Sequence, residues 1–219
     1  MSLIATSSPA LPEAVLADLV DVVDEATVEA GRNGVNPYHY TFWYDLSTTP
    51  RNAVEAIVRP HLLGFLPDEA QRTAVGVEYW LGRLSPPYAA NFEFGVHQDV
   101  GRNPESHELE SPMISSILYL NTVNDGPLVV FPGRPDLADE AKSVVFPTEN
   151  LFARFPGQLW HAVVNRSDVT PAPAVREHRT RLNVLLNWWS FRPVSEATGP
   201  MKLIAGDYDG SIFAELATG

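Results

Sequence analysis

The chain has 219 residues, 45% of them hydrophobic, enough for one substantial core and within the usual range for a single domain. Its formal net charge of -12 argues against a surface for nucleic acid or an anionic membrane, because either needs clustered Lys and Arg. No cysteine is present, which removes disulfide and thiolate chemistry.

The opening MSLIATSSPALPEAVLADLV has neither the basic start nor the apolar run of a signal peptide, and no segment approaches the roughly 18 apolar residues that span a bilayer. The expectation is a soluble, cytoplasmic protein. Its oligomeric state is left open.

From Pro12 to about Ala30, Val15, Leu16, Leu19, Val20, Val22, Val23 and Val28 recur at near-helical spacing, and Leu11-Pro12-Glu13 is a reasonable helix start. The stretch GRNGVNPYHYTF reads as turn-rich. A second amphipathic helix is expected from Thr49-Pro50 through Ala53, Val54, Ile57 and Val58 toward Leu63, with Pro60 kinking or ending it.

Beyond Leu66 the texture changes to short runs rich in Val, Ile, Leu, Phe, Tyr and Trp, separated by Pro, Gly, Asn and Asp. They are TAVGVEYWLGRL, NFEFGVHQD, PMISSILYLNTV, GPLVVFP, KSVVFPTENLFARFP, QLWHAVVNR and RLNVLLNWWSF. Many short strands with regular turn signals point to a mainly β fold with flanking helices, a double-stranded jelly roll. The expected organisation is one domain: residues 1–75 a mostly helical N-terminal part, 76–192 the jelly-roll core and 193–219 a C-terminal extension. Segments 100–112 and 165–178 read as polar loops beside the chemistry.

That chemistry is carried by His97, Asp99 and, far downstream, His161. Side chains at i and i+2 of a strand point the same way, so a His-x-Asp aims two ligands at one point while a distant strand supplies the third. Two imidazoles and one carboxylate suit Fe(II), Mn(II) or Zn(II), and leave coordination positions open for reactants. His39, His61, His107 and His178 lack such a context and read as ordinary structural or surface residues. Arg181 opens the apolar run RLNVLLNWW, where its planar, permanently charged fork could hold an anionic co-substrate. Arg179 falls on the same strand face by period 2 and is its rival.

Between about Val77 and Trp189 the sequence resembles the Fe(II)- and 2-oxoglutarate-dependent oxygenase superfamily, in particular its prolyl-hydroxylase-like branch. The resemblance is carried by the order of VHQD, SSILYLN, DGPLVVFPG, FPGQLWHAV and TRLNVLLNWW. It implies that His97, Asp99 and His161 are iron ligands and that Arg181 pairs with the distal carboxylate of 2-oxoglutarate. It also implies that the Tyr119 hydroxyl meets the same carboxylate, although an aromatic in a strand is equally a core residue. Asn121 is expected to shape the turn, and Trp160, Trp188 and Trp189 to fill the barrel or rim its mouth.

The implied reaction uses Fe(II), 2-oxoglutarate and O2 to hydroxylate a C–H bond of a small-molecule or amino-acid-like substrate, releasing succinate and CO2. Two departures border the substrate mouth: SPPYAAN lacks a glycine-rich turn, and the interval from His161 to Arg181 is longer than usual. Both weaken the inference of a prolyl substrate. The competing expectations are a cupin-like metalloenzyme that does not use 2-oxoglutarate and a non-catalytic jelly-roll binding protein.

Overall fold

The computed structural model describes residues 2–32, 34, 36–85, 95–137, 140–170, 180–194 and 203–204. Among these, the elements in chain order are β1 (Ala5–Ser7), α1 (Glu13–Arg32), β2 (Tyr40–Asp45), α2 (Ala53–Ile57), α3 (Asp68–Thr73) and β3 (Gly76–Leu84). Then come β4 (Gly101–Arg102), β5 (Leu109–Glu110), β6 (Ile114–Tyr119), β7 (Leu128–Phe131), β8 (Ser143–Val145), β9 (Leu151–Pro156), β10 (Trp160–Val163), β11 (Arg181–Trp189) and β12 (Leu203–Ile204). The large sheet has the order β1-β9-β6-β11-β3-β2-β12, and the small one β10-β7-β8. An antiparallel bridge between His97 and His161 extends the small sheet past β10. This is a double-stranded jelly roll with helices outside it.

Strand β11 shows why the large sheet is built as it is. Its period-2 alternation sends Leu182, Val184, Leu186 and Trp188 to one side, where they join Leu16, Leu19 and Val23 of α1 in one apolar cluster. Full burial of each such aliphatic side chain contributes about 1.5–3 kcal/mol, so this layer anchors the helix on the outside of the barrel. The other side carries Arg181, Asn183, Leu185, Asn187 and Trp189 toward the small sheet. Leu185 packs there with Ile117 and Tyr119 of β6, Val130 of β7 and Phe155 of β9. Both faces being covered, the strand reads as a nearly continuous apolar run.

Besides its helices, the N-terminal part carries two strands. Strands β1 and β2 belong to the large sheet, the first paired with β9 and the second with β3. Strand β2 lies in the stretch read as turns; the Gly and Asn before it and the single Pro mask a strand that is buried along most of its length. The second helix begins at Ala53, with Asn52 accepting from Glu55 N–H at 3.0 Å as its cap. It is α-helical only to Ile57. Across Pro60, which lacks an N–H and crowds the preceding turn, the backbone widens into a π-turn at Val58–Leu62.

Segment 100–112, expected as a loop, contains the small hairpin β4–β5. In the C-terminal extension, β12 pairs in parallel with β2. No described helix is long and apolar enough to cross a membrane.

Candidate functional site

His97 and His161 meet through their backbones. The N–H of His97 donates to the His161 carbonyl at 3.0 Å and the N–H of His161 to the His97 carbonyl at 2.9 Å. Such a hydrogen-bonded antiparallel pair points both side chains to one face, and the ring centroids lie 4.4 Å apart. Asp99, two residues on, returns to the same face. Its carboxylate oxygens stand 3.7 Å from His97 Nε2 and 3.5 Å from His161 Nε2.

The three donor atoms lie within 4.8 Å of one another. Neighbouring donors bound to one ion at about 2.0–2.2 Å lie roughly 3–3.5 Å apart, so the three side chains reach a single centre by drawing in by about 1–2 Å.

Each donor is held by a second contact. His97 Nδ1 lies 2.7 Å from the Gly95 carbonyl and His161 Nδ1 3.1 Å from the Leu159 carbonyl. A carbonyl only accepts, so each ring donates from Nδ1 and presents its Nε2 toward Asp99. Ser115 of β6 donates its hydroxyl to Asp99 Oδ2 at 3.0 Å, and the Phe155 ring stands 4.9 Å from the His161 ring. Asp99 and His161 are buried, whereas the His97 side chain keeps 40% of its exposure, so the group opens to solvent on the His97 side.

Arg181 lies at the start of β11 and is fully buried. The β6–β7 turn cradles it. Asn121 donates from Nδ2 to the Thr180 carbonyl at 2.7 Å and accepts from Leu182 N–H at 2.9 Å, which pins the backbone on both sides of the arginine. The Gly126 carbonyl accepts from Arg181 Nη1 at 2.8 Å. Gly126 has φ +64°, a conformation open to glycine and strained for other residues. Asp125 fixes that peptide by accepting from Gly126 N–H at 2.8 Å and from Arg166 N–H at 2.5 Å.

The rest of the guanidinium is unsatisfied. Arg181 Nε and Nη2 are buried without an acceptor among the described residues, and so is the Tyr119 hydroxyl, whose ring centroid lies 5.1 Å from the Arg181 guanidinium carbon. Burial pushes the Tyr119 hydroxyl above its ordinary range, with the Arg181 charge pulling weakly the other way. The group therefore stays protonated and can donate. Unpaired buried donors cost about 1–3 kcal/mol each, more when charged, and chemically this set fits an anion with several acceptor oxygens.

Of the residues singled out in the sequence, His97, Asp99 and His161 form one group, and Arg181 and Tyr119 form another on the same barrel interior. The β11 inner face links them, since Asn187 pairs across from Ser115, the residue that holds Asp99. Arg179 and His178 lie outside the described residues, as do SPPYAAN from residue 86 onward and 171–179 of the second polar loop. Asn121 does more than shape a turn, because it ties the turn to β11. Trp188 and Trp189 are buried, while Trp160 is about one-third exposed beside His161. His61 lies in the π-turn, and His107 in the β4–β5 hairpin.

Sequence reasoning missed Ser115, Gly126 and Asn183. A signal for two of them was present: Ser115 and Asn183 are polar residues inside the apolar strands ISSILY and RLNVLLNWW, and such residues need partners.

No protein-family model and no curated protein matches the sequence. The fold matches solved structures. A prolyl-4-hydroxylase from Pseudomonas putida superposes with a TM-score of 0.52 at 18% identity, covering 88% of this chain and 90% of that one. The non-heme alpha-ketoglutarate-dependent epimerase SnoN from nogalamycin biosynthesis gives 0.54 at 11% identity, covering 92% and 88%. The alpha-ketoglutarate-dependent carbocyclase SnoK from the same biosynthesis gives 0.51 at 13%, covering 90% and 85%. The chain thus has the double-stranded β-helix fold that these oxygenase structures share.

Proposed function

We propose that this protein is an Fe(II)- and 2-oxoglutarate-dependent oxygenase that hydroxylates a C–H bond of a small-molecule or amino-acid-like substrate. The observation that carries the reading is the pairing of two features in one barrel: a His-Asp-His group with both Nε2 atoms turned toward one carboxylate, and a buried guanidinium and tyrosine hydroxyl with donors that find no acceptor among the described residues. A jelly-roll metalloenzyme without a co-substrate, or a simple binding module, would have no use for the second feature. Two of the three proteins above are named for reactions other than hydroxylation, a carbocyclase and an epimerase. Hydroxylation is the simplest outcome of the shared chemistry.

The residues fit the groups. His97, Asp99 and His161 would hold the iron, with two nitrogens and one hard oxygen of a type that suits it. Arg181 and Tyr119 would hold the distal carboxylate of 2-oxoglutarate. The iron and its co-substrate supply the oxidation, in which R–H, O2 and 2-oxoglutarate become R–OH, succinate and CO2.

What the chain contributes is placement. The carbonyls of Gly95 and Leu159 fix the two imidazole tautomers, and Ser115 fixes the carboxylate. Ile117, Val130 and Leu185 form an apolar wall between the sheets that keeps water from the interior. In this reading the hairpin at 101–110 forms part of the substrate lid, together with segment 165–178, whose residues from 171 onward lie outside the described residues. Exchange of either should change substrate choice and leave uncoupled turnover of 2-oxoglutarate intact.

The test is an anaerobic titration of the protein with Fe(II) and 2-oxoglutarate, watching the metal-to-ligand charge-transfer absorption, followed by succinate release on admission of air. Absence of both, with iron demonstrably bound, would overturn the proposal.

A further inference from the structure

Two residues along β11 from Arg181, the fully buried Asn183 points to the same inner face. It pairs directly across from Tyr119 on one side and from Gly82 on the other. Its Oδ1 accepts from the Tyr38 hydroxyl at 3.5 Å, while its Nδ2 is buried with no acceptor among the described residues.

The amide also lies hard against the backbone of β3. A Cβ built on Gly82 would come within 1.9 Å of Asn183 Oδ1 and 2.4 Å of the Tyr38 hydroxyl. Gly82 is thus a seat for this side chain. A large strand residue such as Leu would satisfy the core at 183 without an unpaired amide, so the observed arrangement spends stability on aiming one N–H2.

We infer that Asn183 is a third donor to the co-substrate, its Nδ2 completing with Arg181 and Tyr119 a three-residue clamp on the distal carboxylate, and that the Tyr38–Gly82 seat orients it. The inference rests on the reading of 2-oxoglutarate as co-substrate. A carboxylate has about four lone-pair sites, so Arg181 Nε and Nη2, the Tyr119 hydroxyl and Asn183 Nδ2 together match it donor for acceptor. A clamp of this kind favours 2-oxo acids with a second carboxylate, because only they satisfy the buried donors.

The experiment is calorimetric binding of 2-oxoglutarate and, separately, of pyruvate to the full chain loaded with Mn(II), in wild type and in Asn183→Leu, which keeps the branched side-chain shape and removes the donor. Asn183→Ala serves if the leucine variant does not fold. The expected result is about 10- to 100-fold weaker 2-oxoglutarate binding, with Mn(II) affinity unchanged and pyruvate binding, which has no distal carboxylate to lose, unaffected. Equal 2-oxoglutarate affinity in wild type and variant overturns the inference and leaves the co-substrate reading standing. An equal loss for both acids also overturns it, since the residue would then act through the fold. Failure of Mn(II)-loaded wild type to bind 2-oxoglutarate overturns the co-substrate reading, and the clamp with it.

Discussion

The two ends of the barrel interior are built on opposite principles. At the metal end every donor is tied to the protein: two imidazoles to backbone carbonyls and one carboxylate to a serine. At the arginine end the backbone is pinned by Asn121 and one guanidinium nitrogen by Gly126, yet Arg181, Tyr119 and Asn183 keep buried donors without acceptors among the described residues. The first end can wait in water-accessible form, because His97 is partly exposed and hydration can satisfy it. The donors of the second are buried from bulk solvent, and in the proposed reading an anion would satisfy them. Stability and binding therefore diverge at the arginine end and coincide at the metal end.

Removal of a metal donor gives the largest effect. His161→Ala should weaken Fe(II) or Mn(II) affinity beyond the roughly 10- to 100-fold that loss of a ligand-orienting partner costs, as read by metal titration. Arg181→Met sharpens the contrast: 2-oxoglutarate affinity should fall by about 100-fold, while the melting temperature of the ligand-free protein stays level or rises. A large drop in melting temperature would show that the arginine is structural and that the contrast between the ends is false.

Ser115→Ala should weaken metal affinity by about 10-fold and leave 2-oxoglutarate binding to the metal-saturated protein nearly unchanged, with Ser115→Thr restoring most of the loss. Gly126→Ala should destabilise the fold by about 1–2 kcal/mol in denaturant titration, the penalty of a left-handed residue with a Cβ. The smallest effect belongs to Tyr119→Phe, a loss of roughly 3- to 10-fold in 2-oxoglutarate affinity. Because burial holds that hydroxyl protonated, wild type and variant should keep the same ratio up to about pH 9.5; a ratio that collapses below that pH would mean that the phenol ionises.

Legibility in the sequence followed the range of the interactions. The strand runs of β3 and of β6 to β11 were visible because each alternates or runs apolar between strong turn signals, and the His-x-Asp spacing is itself a local statement about direction. Strand β2 was not visible, because Tyr40–Asp45 follows turn residues and takes its strand character from pairing with β3. The hairpin at 101–110 was hidden for the same reason, its strands being two residues each. Asn121 was recognisable as a turn residue, but its bonds to Thr180 and Leu182 span some sixty positions and leave no local trace.

What the sequence determined by itself is the set of donor types, the faces they occupy and the jelly-roll class, since period-2 patterning and ligand chemistry are properties of neighbouring residues. What only the tertiary structure decided is which donors meet and which stay unpaired. The pairing of His97 with His161 is a backbone event between chain-distant strands, and the isolation of Asn183, Tyr119 and Arg181 is a matter of burial. Both depend on how the two sheets close over one another, a global property that no window of residues contains.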